Sequence, residues 1–305
     1  MTGTGSTRRR SPARLGRLAL GRVTTRLSLV KAGIELGSVE RRVCRATRSS
    51  DLAVVVHVYY SEVWAEIAHR LRLLGDDVDL YVTLAGVVRD FEVTVLADFP
   101  AAHVMVVPNV GRDVLPFITV ARGLRRSGYT SVLKLHTKRS VHADDGAEFL
   151  AACLDDLVPS AEVAHQCREL VTSGGAALVG PQSRYYPLAI HVWLNHGDLD
   201  WFLARRGHTP SAALQHPSRF GFFAGTMFWA NLDRVAECLD VPVRKFQVER
   251  AQIDGTMAHA LERLFAVVPE LDGQEIWASG ADGCQRLSYD DHTWPAWALR
   301  RPEME

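Results

Sequence analysis

Lysine is scarce in this sequence, and so are the features of disulfide-rich, zinc-binding or membrane-spanning proteins. Only four of the 305 residues are lysine, which makes a lysine at a strand end conspicuous. The five cysteines are widely spaced without a C-x-x-C pair, which argues against a disulfide framework or a zinc site and fits a reducing cytoplasm. No apolar run approaches the roughly 18 residues of a transmembrane helix, and the N-terminus lacks the apolar core of a secretory signal. We therefore expect a protein that stays inside the cell.

Net charge is also absent overall, but it is divided unevenly along the chain. Residues 1–50 hold twelve of the 35 Lys and Arg but only two of the 35 Asp and Glu, so this extension carries about +10 and the remainder about −10. An acidic main domain would repel phosphates over most of its surface, so we do not expect a nucleic-acid partner.

The basic extension, residues 1–50, divides into two parts. Residues 1–14 contain glycines, a proline and three consecutive arginines, which is typical of disorder. Residues 15–43 alternate aliphatic side chains with cations and predict a basic, imperfectly amphipathic helix that is interrupted at Gly21 and Gly33. Such a helix can lie on an anionic membrane surface. A solvated or partner-docking helix is an equal alternative, because Trp and Phe anchors are missing.

Residues 51–273 alternate between two kinds of hydrophobic pattern. Short apolar runs such as 53–58 and 78–83 are typical of buried strands, and segments with helical apolar spacing lie between them. This rhythm predicts an α/β domain with a mostly parallel sheet and helices on both faces. Residues 274–305 show no clear period, and we expect an irregular tail there.

One strand-helix-strand unit places ionisable side chains at strand ends. The apolar runs at 104–107 and 131–135 are each followed by polar residues. These residues are Asn109, Arg112, Asp113, His136 and Lys138. In open α/β sheets, ligands bind beyond the carboxyl ends of the strands, so these side chains should converge on one crevice. Such a crevice would suit a phosphate-bearing substrate.

Four segments carry a resemblance to a known family. They are PNVGRDVLPF (108–117), KLHTKRS (134–140), FAGTMFW (223–229) and the stretch from Glu249 through DGTMAHALER (254–263). Together they resemble the rhamnan synthesis protein F family of bacterial cell-wall polysaccharide assembly, over about residues 52–273. The resemblance implies a GT-A-like fold and transfer of rhamnose from a nucleotide-activated donor.

The resemblance also implies a donor site at the strand ends. By analogy with GT-A enzymes, Tyr59 lies at the end of the first strand beneath the nucleotide base, and Asp79 holds the edge of the base. Simple strand packing would explain Tyr59 equally well.

The loop after the third strand is the second part of the expected donor site. Gly111 would let the backbone turn close to the ligand, while Asn109 and Arg112 contact the donor. Asp113 can cap the following helix while pairing with Arg112, and capping alone would account for it.

The end of the fourth strand departs from many GT-A enzymes. Those enzymes place an Asp-x-Asp there, which holds a divalent metal that neutralises the leaving diphosphate. Here the position holds His136, Thr137 and Lys138. The imidazole of His136 and the ammonium of Lys138, with Arg112 or Arg139, would neutralise the diphosphate instead. We therefore expect no cofactor and a metal-independent reaction, the alternative being a surface Lys138 and a core His136.

An inverting transfer needs a base that takes the proton of the acceptor hydroxyl. Asp254 is the candidate, because the resemblance aligns its segment with the acidic catalytic region of inverting GT-A enzymes and because it opens a predicted helix at 255–265. An ordinary N-cap aspartate is the alternative. Glu249 is the reserve base. His259 with Glu262, three positions apart on one helical face, would order the site, the alternative being a surface or interhelical pair.

The apolar segment at 222–229 is the candidate acceptor wall. Aromatic faces stack on sugar rings, and a glycine permits close approach, so we select Gly225 and Trp229 for acceptor binding, together with His259. Core packing is the alternative for most of these side chains.

Taken together, these features favour an inverting glycosyltransferase. The resemblance implies that it moves a deoxyhexose, L-rhamnose from dTDP-rhamnose, onto a cell-surface polysaccharide. Its partners would be the nucleotide-sugar donor, a lipid-linked glycan acceptor and the inner face of the cell membrane, where the cytoplasmic protein would be peripheral. The alternative is a non-catalytic glycan- or partner-binding subunit of the assembly machinery, which the absent Asp-x-Asp leaves open.

Overall fold

A computed structural model describes residues 12–137, 146–208, 220–250 and 252–287. The strands are β1 (Leu52–Val58), β2 (Asp79–Ala85), β3 (His103–Val107), β4 (Ser131–His136), β5 (Leu178–Pro181), β6 (Tyr185–Pro187), β7 (Gly221–Phe223), β8 (Phe228–Asn231), β9 (Ile276–Gly280) and β10 (Gly283–Arg286). The α-helices are α1 (Pro12–Arg45), α2 (Trp64–Arg72), α3 (Glu92–Asp98), α4 (Val114–Arg126), α5 (Gly146–Leu157), α6 (Ala161–Thr172), α7 (Leu188–His191), α8 (His196–Arg205), α9 (Ala236–Leu239) and α10 (Met257–Leu271). Single 3-10 segments lie at Ser61–Val63, Gly86–Phe91, Gln182–Arg184, Trp193–Asn195 and Val243–Lys245.

One large sheet has the strand order β10-β9-β5-β8-β4-β1-β2-β3. Most neighbours run parallel, but β8 lies antiparallel between β4 and β5, and β10 lies antiparallel at one edge. Two hydrophobic clusters cover the two faces, one built on α1, α4 and α10 and the other on α2, α5 and α6. The predicted α/β architecture, a mostly parallel sheet flanked by helices, is confirmed. Strands β6 and β7 pair in a separate small sheet.

The register of the parallel strands aligns their carboxyl ends. His57 near the end of β1 pairs with Thr83 on β2 and with His136 on β4. Every residue of β1, β2 and β4 is buried, as expected for strands that are covered on both faces. Polar residues at the ends of these strands therefore meet at one edge of the sheet, which we call the carboxyl edge.

Residues 274–287 do not form the irregular tail that we expected. β9 pairs in parallel with β5, and β10 folds back on β9. The prediction was wrong here because strands of four or five residues carry too few positions to show a period. The rest of that segment, including Trp294 and Trp297, lies outside the described residues, as do residues 1–11.

Helix α1 is continuous, whereas we expected breaks at Gly21 and Gly33. A single glycine costs a helix only about 1 kcal/mol, which tertiary packing readily offsets. The second half of α1 packs against α4 in the first hydrophobic cluster through Ala32, Leu36, Val39 and Val43. Among the described helices, none is both long and apolar enough to cross a membrane.

Candidate active site

A buried ion pair joins β4 to the start of α4 at the carboxyl edge. Lys134 is only 1% exposed, and its Nζ lies 2.5 Å from Oδ2 of Asp113. The same ammonium donates to the carbonyl of Thr226. Burial lowers the pKa of Lys134, and the charge of Asp113 opposes this shift. Our sequence analysis did not select Lys134, although a charge inside an otherwise apolar strand requires a buried partner.

Asp113 does not have the role that we expected. Its side chain makes no capping hydrogen bond to α4, and it pairs with Lys134 rather than with Arg112. His136 Nε2 lies 3.8 Å from the same carboxylate oxygen. Burial alone would raise the pKa of Asp113, but the charges of His136 and Lys134 hold it well below its ordinary value. The ionised carboxylate therefore neutralises the buried Lys134 ammonium.

Gly225 connects the carboxyl edge to helix α10. Its carbonyl accepts a hydrogen bond from His136 Nε2 at 2.5 Å, and its N–H donates to Glu262 at 2.6 Å. Its φ of +91° is open to glycine, and an added Cβ would lie 2.7 Å from the ring of Phe149. The expected close approach is therefore to Phe149, which corrects our assignment of Gly225 to an acceptor wall.

Trp229 is also not an acceptor-binding residue. Its side chain is completely buried in the second hydrophobic cluster, and its indole N–H donates to the carbonyl of Leu157 at 3.0 Å. Strand β8 is covered on both faces, so its aromatic side chains pack in the core. Core packing was the alternative to acceptor binding for this segment.

Arg112 ties the loop after β3 to the segment before α10. It has a φ of 56°, unusual for a residue with a Cβ, and its Nε lies 3.0 Å from Oε2 of Glu249. It also donates to the carbonyl of Gln252. The carbonyl of Asn109 accepts from the N–H of Glu249 at 3.4 Å, while the Asn109 side chain is exposed. Thus Arg112, Asn109 and the reserve base Glu249 come together.

Gly111 in the same loop packs against protein atoms. Its φ is +67°, and an added Cβ would lie 2.6 Å from both Leu115 Cβ and Phe246 Cδ1. The expected tight turn is present, but the space beside it is filled by Phe246 rather than left for a ligand.

Asp254 lies two residues after Gln252, the residue whose carbonyl Arg112 contacts, but it does not open a helix. Helix α10 begins at Met257, and its N-cap is Thr256, whose side chain accepts from the N–H of His259. The Asp254 carboxylate accepts from Asn195 Nδ2 at 2.8 Å and from the N–H of Leu194 at 3.0 Å. Burial would raise the pKa of Asp254, but these hydrogen bonds hold it below its ordinary value. The carboxylate is therefore ionised at neutral pH.

Arg263 links Asp254 to Gly225, and our sequence analysis did not select it. This buried guanidinium lies 2.6 Å from Glu262 Oε2 and 3.9 Å from Asp254 Oδ1. It also donates to the carbonyls of His259 at 2.7 Å and His191 at 3.2 Å. The signal in the sequence was an arginine among the apolar residues of 260–268. An arginine on a buried helix face needs carboxylate partners.

His259 belongs to the same group of side chains. Its Nδ1 lies 2.9 Å from the Thr256 hydroxyl and 3.9 Å from Asp254 Oδ1. Burial lowers the pKa of His259, so the ring is neutral at pH 7. At 3.9 Å the neutral ring lies beyond hydrogen-bond distance of Asp254, whereas Glu262 accepts from the N–H of Gly225. The expectation that this helical pair orders the site stays a prediction.

The chain that carries this geometry matches a family model described as rhamnan synthesis protein F, over residues 36–273. The chain belongs to the rhamnan synthesis protein F family. The description indicates a role in polysaccharide synthesis. The match begins at a buried residue of α1, Leu36, and so extends further toward the N-terminus than the resemblance at about residues 52–273 suggested.

Similar proteins are known from two strains of Xanthomonas campestris pv. campestris, each named uncharacterized protein WxcX. Both are 31% identical to this family member over 233 residues, or 75% of its chain. The chain spans about a third of the length of these relatives, 32%. A solved structure titled "Crystal Structure of a Mycobacterial Protein" matches with 14% identity and a TM-score of 0.33, covering 85% of this chain and 87% of that one, a similarity too low to support any inference.

Two tyrosines follow β1 at the carboxyl edge of this family member. The backbone N–H groups of Tyr59 and Tyr60 both donate to the Thr137 hydroxyl, at 2.8 and 2.9 Å, and their partly exposed rings meet edge to face. Thr137 therefore fixes the ends of β1 and β4 together. Lys138, which follows it, lies outside the described residues.

Asp79 is not part of the carboxyl edge, which corrects its assignment to the donor site. It is the first residue of β2, so it lies at the opposite end of the sheet. It accepts from the N–H groups of Ser49 and Ser50, at 2.9 and 2.8 Å, and from the Tyr129 hydroxyl at 2.7 Å. Burial would raise the pKa of Asp79, but these hydrogen bonds hold it low, and the carboxylate fastens the loop before β1.

One group of side chains has the spacing of metal ligands, and it lies elsewhere. His208, Glu237 and Asp272 place one ligand atom each within 4.8 Å of one another, and they are the one such group of three within the described residues. Asp272 follows the last turn of α10, whereas Asp254 precedes its first turn. None of these three residues is at the carboxyl edge.

Proposed function

We propose that this protein is an inverting glycosyltransferase that moves a deoxyhexose, L-rhamnose from dTDP-rhamnose, onto a lipid-linked polysaccharide. The observation that carries the proposal is the convergence of the polar residues of β1, β3, β4 and α10 at one edge of the sheet. Family membership supports the sugar and the polysaccharide, and ligands of open α/β sheets bind at this edge.

The donor would lie across the ends of β1 and β4. Partly exposed Arg112 would contact the diphosphate, and the rings of Tyr59 and Tyr60 would lie near the base. Lys138 is a further expected diphosphate contact from the sequence alone. The Lys134–Asp113 pair would act indirectly, by holding His136 and Thr226 in place. Positive charge at the diphosphate stabilises the developing negative charge of the leaving group.

The transfer step needs one base. The acceptor oxygen would attack the anomeric carbon while the bond from that carbon to the diphosphate oxygen breaks, and the nucleoside diphosphate would leave with the bonding electrons. Asp254 would take the proton of the acceptor hydroxyl, since its carboxylate is ionised and held by Asn195. Glu249 remains the reserve base, although its pairing with Arg112 makes donor positioning an equal use of its charge.

The test of this step is turnover with dTDP-rhamnose and a lipid-linked acceptor. We expect Asp254→Asn to lower turnover by a factor on the order of 10² or more with the donor affinity nearly unchanged, because the loss is confined to the transition state. Asp76→Asn, at an exposed aspartate, should leave turnover unchanged. A variant with near-normal turnover per folded molecule would contradict the role of Asp254.

We also propose that the reaction needs no divalent metal. The support is the sequence at the end of the fourth strand, where His136 and Lys138 replace a carboxylate pair. Activity should then survive chelation with EDTA, and Lys138→Ala should weaken donor binding. Loss of all activity on chelation, with recovery on adding manganese or magnesium, would overturn this part.

The second candidate function is a non-catalytic glycan-binding subunit. It is favoured by one observation, namely that both oxygens of Asp254 already accept hydrogen bonds from the protein. Glycan binding without hydrolysis or transfer of any nucleotide sugar would decide for this alternative.

A further inference from the structure

Helix α1 has two apolar faces, and the core uses only one of them. Ala32, Leu36, Val39 and Val43 are buried against the domain. Leu27, Val30 and Ile34 are 64%, 62% and 69% exposed. At about 100° per residue, these three side chains lie close together on a stripe that is roughly opposite the buried set. We call them the outer stripe.

Cations surround the outer stripe. Arg26 and Lys31 are exposed beside it, and Arg41 and Arg45 continue the same face toward the end of the helix. The two acids of this region are already paired, Glu35 with Lys31 at 3.7 Å and Glu40 with Arg126 of α4. The outer face of α1 is therefore apolar in its middle and strongly basic at its end.

A cleft of about 420 Å³ lies where the basic end of α1 meets the edge of the sheet. Its polar lining consists of Ser38, Arg41, Arg42, Arg45, Tyr81 and His103. Three guanidinium groups around one concave surface are suited to a phosphate group, which they can bind with paired hydrogen bonds. No carboxylate is among the described residues that line the cleft.

We propose that α1 docks this protein on an anionic phospholipid surface. The outer stripe enters the boundary between head groups and acyl chains, and the cleft lined by Arg41, Arg42 and Arg45 holds a lipid phosphate. A helix with an apolar stripe between cations is suited to such an interface. The inference goes beyond the proposed sugar transfer and does not depend on it.

Charge decides between a lipid surface and a second copy of the chain. Two copies joined through the outer stripe would bring Arg26, Lys31, Arg41 and Arg45 of one helix against the same cations of the other. An anionic surface instead attracts each of these cations. The stripe itself spans only about 10 Å, which is short for a stable helix pair.

Docking along α1 would leave the candidate active site beside the lipid surface. Helix α1 contacts the 3-10 segment Val243–Lys245, which directly precedes Phe246. Phe246 packs against Gly111 in the loop at the carboxyl edge.

The experiment is co-sedimentation of the full chain with vesicles. One set of vesicles contains phosphatidylglycerol with phosphatidylcholine, and the other contains phosphatidylcholine alone. We expect binding to the anionic set only, with reversal by high salt. The triple variant Leu27→Gln, Val30→Gln, Ile34→Gln and, separately, the double variant Arg41→Gln, Arg45→Gln should each lower the partition coefficient by about tenfold or more.

The control removes apolar side chains that are just as exposed elsewhere. Val87 and Val93 are 72% and 76% exposed, and Val87→Gln with Val93→Gln should bind vesicles like the wild type. All substituted positions are on the surface, so urea unfolding should show wild-type midpoints. Equal binding by the stripe variant and the wild type, equal binding to neutral vesicles, or a dimer that the stripe variant dissociates without any vesicle binding would each overturn the proposal.

Discussion

Lys134 shows how strongly one buried charge depends on its partner. Lys134→Met would leave the Asp113 carboxylate in the interior without its cation, and breaking such a pair costs about 3–5 kcal/mol. We expect a loss of that size in the free energy of unfolding, measured by urea denaturation. Lys31→Met is the matched control, because that pair is largely exposed and should contribute less than about 1 kcal/mol.

A double substitution separates pairing from packing. Adding Asp113→Asn to Lys134→Met removes the orphaned charge, so the double variant should be more stable than Lys134→Met alone. A double variant that is less stable than either single variant would show that the two residues contribute independently.

His57 predicts part of the acid sensitivity of the fold. Burial lowers its pKa from 6.5 to about 4, with the charges of His136 and Lys134 acting in the same direction and Asp113 against it. As the pH falls below 6.5, the unfolded chain binds the proton first, so stability present above pH 6.5 is lost down to about pH 4. The loss from this group is about 3 kcal/mol.

His57→Gln should remove that part of the pH dependence. Glutamine can still hydrogen-bond to Thr83, whose hydroxyl lies 3.0 Å from His57 Nδ1. The measurement is the urea midpoint across this pH range. His165→Gln, at an exposed histidine, should behave like the wild type. Parallel pH curves for the wild type and His57→Gln would contradict the assignment.

For single residues, the sequence predicted which side chains reach the carboxyl edge better than it predicted which partners they contact there. Arg112, Asp113 and His136 come to one edge because β3, α4 and β4 are consecutive, and short connections keep consecutive elements adjacent. Their partners were not predictable in the same way. Glu249 reaches Arg112 from 137 positions along the chain, and such a pair depends on the whole tertiary structure.

The packing of α1 on α4 gives a prediction for two glycines at the scale of whole helices. An added Cβ at Gly123 would lie 2.8 Å from the carbonyl of Glu40 and from Val43, so Gly123→Ala should force the helices apart and cost about 1–3 kcal/mol. An added Cβ at Gly33 meets nothing within 4 Å, so Gly33→Ala should stabilise the protein by about 0.5–1 kcal/mol. Thermal or urea unfolding of the two variants measures both effects. Changes of the same sign would contradict the packing of α1 on α4.

The elements themselves were predictable where their period was long enough to read. Buried strands such as β1 are continuous apolar runs, and α4 has clear helical spacing. The start of α10 was missed by two residues because Asp254 and Thr256 are both ordinary N-cap types, and only the backbone decides between them.

At the scale of the molecule, the alternating pattern predicted a parallel sheet but not the antiparallel strand β8 within it. β8 lies between β4 and β5, and this placement closes the carboxyl edge, because the turn before β8 brings Gly225 and Thr226 to His136 and Lys134. Strand order depends on long-range pairing that local patterns do not carry. The convergence of Arg112, Asp113 and His136 at the carboxyl edge could therefore be predicted from the sequence, and its connection to α10 could not.

Removing helix α1 should destabilise the whole domain, although its sequence alone indicated a separate extension. A chain that starts at Ser50 would lose the buried side chains of Ala32, Leu36, Val39 and Val43, and their burial contributes about 5 kcal/mol. That is comparable to the whole stability of an ordinary domain, so we expect this truncated chain to be largely unfolded or aggregated. A chain that starts at Thr25 keeps the buried set and should unfold within about 1 kcal/mol of the full chain, measured by urea denaturation. Equal stability of the chain starting at Ser50 and the full chain would show that α1 does not stabilise the domain. The lipid contacts of α1 would then have to be tested by truncation instead of by substitution on the outer stripe.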